Sequence, residues 1–130
     1  MATRSPSPSH ILTATATAAD TRARTIGRSV ADVAVIGVAT NADDWITLPS
    51  LNLVPNGHTI KIECNAGSNF ELRTPANSDE TINNVDCDGT QEYLCTDTDL
   101  IIVTKQSNAG GWFAQSITSL GAVRTAVIPD

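Results

Sequence analysis

The sequence predicts an all-β fold, a single antiparallel β-sandwich of jelly-roll type that carries an extended N-terminal arm. From residue 31 onward, short runs rich in Val, Ile, Leu and Thr recur about every 8–12 residues, a spacing typical of sandwiches and barrels. Clusters of Gly, Asn, Asp and Pro separate these runs and supply the chemistry of tight turns. No stretch shows a convincing 3.6-residue apolar stripe, so no helix is expected.

The domain boundary is predicted at residue 30, with an arm over residues 1–30 and a body over residues 31–130. The arm contains ten Ser or Thr and only four large aliphatic residues, too little apolar surface to offset an ordering cost of roughly 1–2 kcal/mol per residue. Its alternating run from Ile11 to Ala18 favours extended backbone and is a candidate for strand addition to a partner. The alternative is a solvated, disordered tail.

Nine strands are predicted in the body, and alternation assigns their inward residues. Ile60 and Ile62 should face the core from one strand, and Phe70 and Leu72 from the next. Leu100–Val103 is continuously apolar and is expected to be a central strand covered on both faces. No internal repeat of solenoid type is present. The predicted strands are Val33–Val38, Trp45–Leu48, His58–Cys64, Asn69–Thr74, Thr81–Val85, Glu92–Thr96, Leu100–Lys105, Trp112–Ile117 and Ala122–Ile128.

The charge of the chain is divided between the arm and the body. Residues 1–30 have a net charge of +3 and residues 31–130 a net charge of −9, which gives −6 overall. An acidic body argues against a nucleic-acid-binding face, whereas a basic arm is suited to docking on an acidic neighbour. No apolar run is long enough for a transmembrane helix, and no secretory signal is expected because the N-terminus lacks an uninterrupted apolar segment.

Metal binding finds little support in the sequence. Three cysteines and two histidines are the only soft ligand candidates, and none of them has the paired spacing of a zinc site. The cysteines are interpreted as reduced thiols of a protein assembled in a cytosol. The acidic run Asp86–Gly89, followed by Asp97 and Asp99, fails the EF-hand spacing because its Gly stands at the fourth position. We therefore expect no metal and no cofactor. The candidate ligands are Cys64, Cys87, Cys95, His10 and His58.

Catalysis has equally little support. A Ser/His/Asp arrangement would need His10, in the arm, or His58, in a strand, and neither stands beside a nucleophile signature. The few aromatic residues leave little material for a sugar-cleaving cleft, and Gly110-Gly111 lies in a predicted hairpin turn rather than before a helix. We expect no catalytic residue and no enzymatic activity.

The segment from Ile46-Thr47-Leu48-Pro49 to Gly110-Gly111-Trp112 resembles structural proteins on the outside of tailed bacteriophages, in particular capsid decoration (cement) and head-fibre-type proteins. The likeness covers about 70 of the 130 residues and follows strand and turn types. Its intermediate elements are Gly57, Ile60, Ile62, Asn65-Ala66-Gly67-Ser68-Asn69, Arg73-Thr74-Pro75-Ala76 and Thr81-Ile82-Asn83.

The resemblance implies a virion structural protein that binds the outer head surface as a homotrimer, with the major capsid protein as its partner. It implies a location on the outer capsid surface after assembly in the host cytoplasm, and no nucleic acid or membrane partner. An extended arm adds contact area without enlarging the core, and trimerisation adds avidity. The expected arm contacts are Ile11, Leu12, Thr13, Thr15, Thr17, Arg22, Arg24 and Arg28.

Trp45, Trp112 and Phe113 are interpreted either as core residues or as interface anchors, with at least one Trp in the core. The alternative function is a receptor- or glycan-binding module of a phage tail fibre or tailspike. A third interpretation is a small lyase or hydrolase that would use the Asp86/Asp88 and Asp97/Asp99 carboxylates.

Overall fold

A computed structural model describes residues 9–15, 24–40, 43–89, 91–106 and 111–124. These residues form ten β-strands and one 3₁₀ turn, Leu51–Leu53, without an α-helix. The all-β prediction is confirmed. The strands are β1 (Ser9–Ala14), β2 (Asp32–Val38), β3 (Trp45–Thr47), β4 (Thr59–Cys64), β5 (Phe70–Arg73), β6 (Thr81–Ile82), β7 (Val85–Asp86), β8 (Tyr93–Cys95), β9 (Leu100–Lys105) and β10 (Gly111–Ile117).

The strands lie in two sheets that share one core. The large sheet has the order β1-β2-β4-β9-β10-β6-β7, and the small sheet has the order β3-β5-β8. Alternate residues of each strand point inward, as the period of two in an extended chain requires. Trp112, Tyr93 and Phe70 are the largest fully buried side chains. The predicted inward residues Ile60, Ile62, Phe70 and Leu72 are all completely buried.

The first half of the chain winds back and forth between the two sheets. β1, β2 and β4 stack in parallel in the large sheet, while β3 and β5 stack in parallel in the small sheet, preceded by a parallel bridge from Thr25 to Thr47. Asp32 pairs with Lys61, and Trp45 pairs with Glu71. Each parallel step therefore takes one full passage through the opposite sheet, which is the winding of a β-solenoid.

The second half of the chain reverses direction and closes this winding. β8 pairs antiparallel with β5, β9 pairs antiparallel with β4, and β10 pairs antiparallel with β9. Among the described strands, four of eight pairings are parallel, so the predicted antiparallel jelly-roll sandwich is wrong in its strand directions. The physical reason is that inward and outward alternation is the same for parallel and antiparallel neighbours, so the pattern does not report direction.

Part of the predicted arm belongs to the core. The side chains of Leu12, Ala14, Ile26 and Val30 are buried in the same cluster as the body residues. The expectation that this segment buries too little apolar surface is therefore wrong for residues 9–15 and 24–30. Its few aliphatic side chains need no core of their own, because they pack on a surface that the body supplies.

Three of the predicted strands differ locally from those in the structure. Thr81–Val85 is a tight hairpin, β6 and β7, whose turn residues Asn83 and Asn84 have φ of 52° and 67°; Asn tolerates this left-handed region better than most residues. Leu100–Val103 is central but covered on one face, since alternate residues stay partly exposed. In the predicted strand Ala122–Ile128, only the isolated bridge of Val123 to Ile117 lies within the described residues.

Gly111 begins β10 at a position where a side chain would not fit. A Cβ on this residue would collide with the Thr81 side chain of the neighbouring strand β6. This close approach lets β6 pair in parallel with the start of β10 and places the fully buried Trp112 in the core.

Candidate functional site

The outer face of the small sheet carries two arginines stacked on one tryptophan. The guanidinium carbons of Arg24 and Arg73 lie 4.4 and 3.8 Å from the centroid of the Trp45 ring. Two guanidinium groups this close to one centroid would collide on the same side, so they cover opposite faces of the ring. The parallel register places them there, because Thr25 and Arg73 both pair with Thr47. Each such contact contributes roughly 0.5–2 kcal/mol, depending on desolvation.

Arg73 is also the centre of an ion-pair cluster. Its Nη2 lies 2.8 Å from Glu71 Oε2 and 2.9 Å from Glu92 Oε1, and its Nε donates a second hydrogen bond to Glu71. Burial raises the pKa of the Glu71 carboxyl, and the hydrogen bond from Arg73 opposes this rise. Arg24 is also tied to the end of β1, because its Nη1 donates a hydrogen bond of 3.0 Å to the carbonyl of Thr15.

A cleft of about 540 Å³ opens beside this stack, where the chain leaves β3 and β5. Its volume lies in the range of pockets that bind small molecules or peptide side chains, about 300–1,000 Å³. Its apolar wall consists of Leu48, Pro49, Leu53, Pro75 and Ala76.

The exposed part of this wall is held in place by a lysine. Leu53 is more than half exposed and lies in the 3₁₀ turn. Lys105 Nζ donates to the carbonyls of Leu51 and Val54 at 2.6 and 2.7 Å, so the turn is tied to the end of β9. The leucine is therefore presented to solvent by a fixed backbone.

Two polar groups in the cleft stand out. Thr74 is 2% exposed, and its hydroxyl has no hydrogen-bond partner among the described residues. A buried hydroxyl without a partner is costly to leave unsatisfied. Arg28 lies at the rim and is exposed; within the described ranges it forms no ion pair. Asp88 also lines the cleft and is half-buried.

The large sheet presents a second surface, its outer face and its β1 edge. Ile11 on β1 is 71% exposed, Ile36 on β2 is 58% exposed and Phe113 on β10 is 56% exposed. Ile36 is the extra residue where the β1–β2 register shifts, since Leu12 pairs with Val35 and Thr13 with Gly37. Within the described part of the chain, no strand pairs with the other edge of β1.

The structure divides the predicted arm contacts into inward and outward residues. Leu12 and Thr15 are buried, and Arg24 is buried on Trp45, so these three side chains leave little surface for a partner. For Leu12 the reason is alternation, because consecutive residues of a strand point to opposite faces. Ile11 and Arg28 are exposed and Thr13 is half-buried. Thr17 and Arg22 lie outside the described residues.

The predicted interface anchors separate in the same way. Trp112 is completely buried, so it is the core tryptophan that the sequence predicts. Trp45 is half-buried within the arginine stack. Phe113 is exposed and remains the one candidate anchor of the three with a free surface.

Two of the candidate metal ligands, Cys64 and Cys95, are hydrogen-bonded neighbours, but no larger group of candidate ligands forms around them in the described part of the chain. Among the described residues, no group of three His, Cys, Asp or Glu side chains has a metal-binding arrangement. Asp99 instead binds Arg124 through two hydrogen bonds of 2.6 and 2.9 Å, and Asp97 accepts one from the backbone of Gly67. All three cysteines are free and buried, and burial raises the pKa of the Cys87 thiol to about 11.

No helix in the described part of the chain is long and apolar enough to cross a membrane.

Sequence reasoning missed most of the cleft. The sequence pattern places Arg73 and Thr74 at the end of a predicted strand and gives no sign that they line a cleft with Leu53. Arg73 is one of four cations in the acidic body, so its charge alone does not single it out. The proximity of Arg24 to Arg73 depends on the parallel register, which the sequence pattern does not report.

Comparison with protein-family models, with curated proteins and with solved structures finds no match to this chain.

Proposed function

We propose that the protein is a non-enzymatic virion structural protein, a capsid decoration (cement) protein. It binds the outer surface of a viral head through the β1 edge and the outer face of the large sheet, as a homotrimer, and stabilises the shell by bridging neighbouring capsid subunits. Its partners are the major capsid protein and copies of itself. It joins the virion after synthesis in the host cytoplasm.

The observation that carries this proposal is the position of β1. An edge strand offers alternate backbone N–H and C=O groups to a strand of another molecule. Here two exposed apolar side chains lie beside this edge, Ile11 on the edge strand β1 and Ile36 on the neighbouring strand β2. Residues 1–8, with their Ser-Pro-Ser-Pro sequence and Arg4, directly precede β1 in the sequence. The first part of the predicted arm therefore leads into this edge strand.

The area of this face explains why several copies would be needed. The five longer strands of the large sheet are β1, β2, β4, β9 and β10. Spaced about 4.8 Å apart and each about six residues long, they form an outer face on the order of 500 Å² in area. A stable specific interface needs about 800 Å² on each partner. One copy therefore offers less than a full interface from its sheet face alone. Three linked copies on a rigid lattice compensate through effective concentration.

The glycan-binding alternative has less support. A sugar-binding platform needs an open aromatic face, and both faces of Trp45 are covered by guanidinium groups. Phe113 is the only aromatic residue of the described chain with a largely exposed side chain.

The test is co-expression with the major capsid protein of the same genome, followed by sedimentation of the assembled shells. Removing residues 1–30 would not test this cleanly, because it would also remove the core residues Leu12, Ala14, Ile26 and Val30. The double variant Ile11→Asp/Ile36→Asp should instead keep the fold, since both side chains are more than half exposed, and lose at least about 90% of shell binding.

Leu120→Asp is the matched control, because Leu120 is 94% exposed in the turn after β10, far from the β1 edge. Light scattering should report a trimer for the wild type. Absence of the wild-type protein from sedimented shells, or equal binding by the double variant, would exclude the proposed function.

A further inference from the structure

We infer that the cleft on the small sheet binds an extended acidic peptide segment, which packs an apolar side chain on the proline-rich wall and directs a carboxylate toward Arg28 and Thr74. The inference deepens the proposed function, since on a viral head such a segment would belong to the shell. It depends on that function only for the source of the peptide.

The charge of the cleft supports an acidic ligand. The described residues contain six basic side chains in an otherwise acidic protein, and three of them, Arg24, Arg28 and Arg73, line this one cleft. Arg73 is already neutralised by Glu71 and Glu92, and Asp88 is the one acidic side chain among the residues that line the cleft. The exposed Arg28 is the cation that remains for a carboxylate from outside.

The hydroxyl of Thr74 supports a bound polar group. It is buried in the cleft and has no partner among the described residues. Buried polar groups are nearly always satisfied, and a specific exception calls for a missing partner. A carboxylate or a peptide carbonyl in the cleft would accept its proton.

The wall supports a peptide rather than a sugar acid. Pro49 and Pro75 face the cleft together with Leu48 and Leu53, and such a surface packs aliphatic side chains. Sugars prefer an open aromatic platform, which the arginine stack on Trp45 does not leave. An extended backbone also fits the site because the cleft lies where two parallel strands end and the chain turns away.

The probe is the peptide acetyl-Leu-Pro-Asp-Leu-amide, titrated into the isolated full-length protein and followed by two-dimensional NMR. Saturable shifts are expected at the Trp45 indole and the Thr74 amide. The counterpart with Asn in place of Asp should bind about two- to fivefold more weakly. Arg28→Gln should weaken the acidic peptide by the same factor and leave the Asn peptide unchanged, whereas Lys61→Gln, on the opposite sheet, should affect neither.

Thr74→Val separates ligand binding from structure. Because the hydroxyl has no partner among the described residues, the variant should unfold at the same or a higher temperature, yet bind the peptide about fivefold more weakly. Equal affinity for the Asp and Asn peptides, shifts confined to another surface, or saturable shifts produced only by an acidic sugar such as glucuronate would overturn the inference. Peptide binding without shell binding would reject the cement function alone, and normal decoration of shells by the Arg28→Gln and Thr74→Val variants would reject the shell as the source of the peptide.

Discussion

The outer faces of the two sheets differ in how their side chains find partners. On the small sheet, Arg24, Trp45, Arg73 and Glu71 form one continuous series of ring contacts and ion pairs. On the large sheet, the side chains of Ile11, Ile36 and Phe113 stay largely exposed. The first face holds successive layers of its own chain together. The second leaves apolar side chains that the fold does not use, and this is the face for which we propose a partner.

The largest effect on stability is expected for substitutions in β1, where an inward-facing and an outward-facing residue are adjacent in the sequence. Leu12→Ala should lower the free energy of unfolding by about 2–5 kcal/mol, because it empties a buried position. Ile11→Ala, on the exposed side, should change it by less than about 0.5 kcal/mol. Urea denaturation of both variants measures the difference. Equal effects would show that β1 is not packed on the core in solution.

Next in size is the arginine stack. Trp45→Ala removes two cation–π contacts and part of the packing of the small sheet, and should cost about 2–3 kcal/mol. Phe113→Ala, the aromatic truncation on the other outer face, should cost far less. A double-mutant cycle with Arg73→Leu should give a coupling of about 1 kcal/mol. A coupling of zero would mean that the stack contributes nothing to stability.

A smaller effect should appear in the pH dependence of stability. Burial raises the pKa of Glu71 in the folded protein above its ordinary value of 4.5, so the folded state holds this proton more tightly than the unfolded state. The contribution of Glu71 is therefore present below pH 4.5 and is lost as the pH rises through the folded pKa. Glu71→Gln should remove this downward slope in urea titrations, and Glu63→Gln, on the exposed face of the large sheet, should leave it. An unchanged slope in Glu71→Gln would contradict the assignment.

The smallest effect is expected on the large outer face itself. Phe113→Ser should shift the unfolding free energy of the dilute protein by no more than about 0.5 kcal/mol, since the ring is mostly in solvent. A loss well above 1 kcal/mol in thermal or urea unfolding would be informative, because it would show that this face is already covered in the free protein.

Sequence reasoning recovered the strands better than their arrangement. The alternation in β4 and β5 identified Ile60, Ile62, Phe70 and Leu72 as core residues, and all are buried. Leu100–Lys105 was predicted with the bounds that β9 has. These features are local, since the period of a strand and the chemistry of a turn are written in neighbouring residues.

The parallel pairings were out of reach for a physical reason. Asp32 meets Lys61 only after the chain has crossed to the small sheet and returned, and no repeated sequence marks this passage. The role of Leu12 and Ile26 was missed for the same reason, because their burial depends on surfaces supplied by distant segments. The cleft could not be predicted for the same reason, since Arg28 and Thr74 line it together only because the chain winds between the two sheets.

Hydrogen exchange of the protein bound to assembled shells tests the proposed docking mode most directly. If β1 adds to a strand of the capsid protein, the amides of Ser9–Ala14 that face the unpaired edge should exchange at least tenfold more slowly on shells than in the free protein. Amides of the turn around Leu120 should exchange equally in both. Unchanged exchange over Ser9–Ala14, with protection elsewhere on the molecule, would contradict the account.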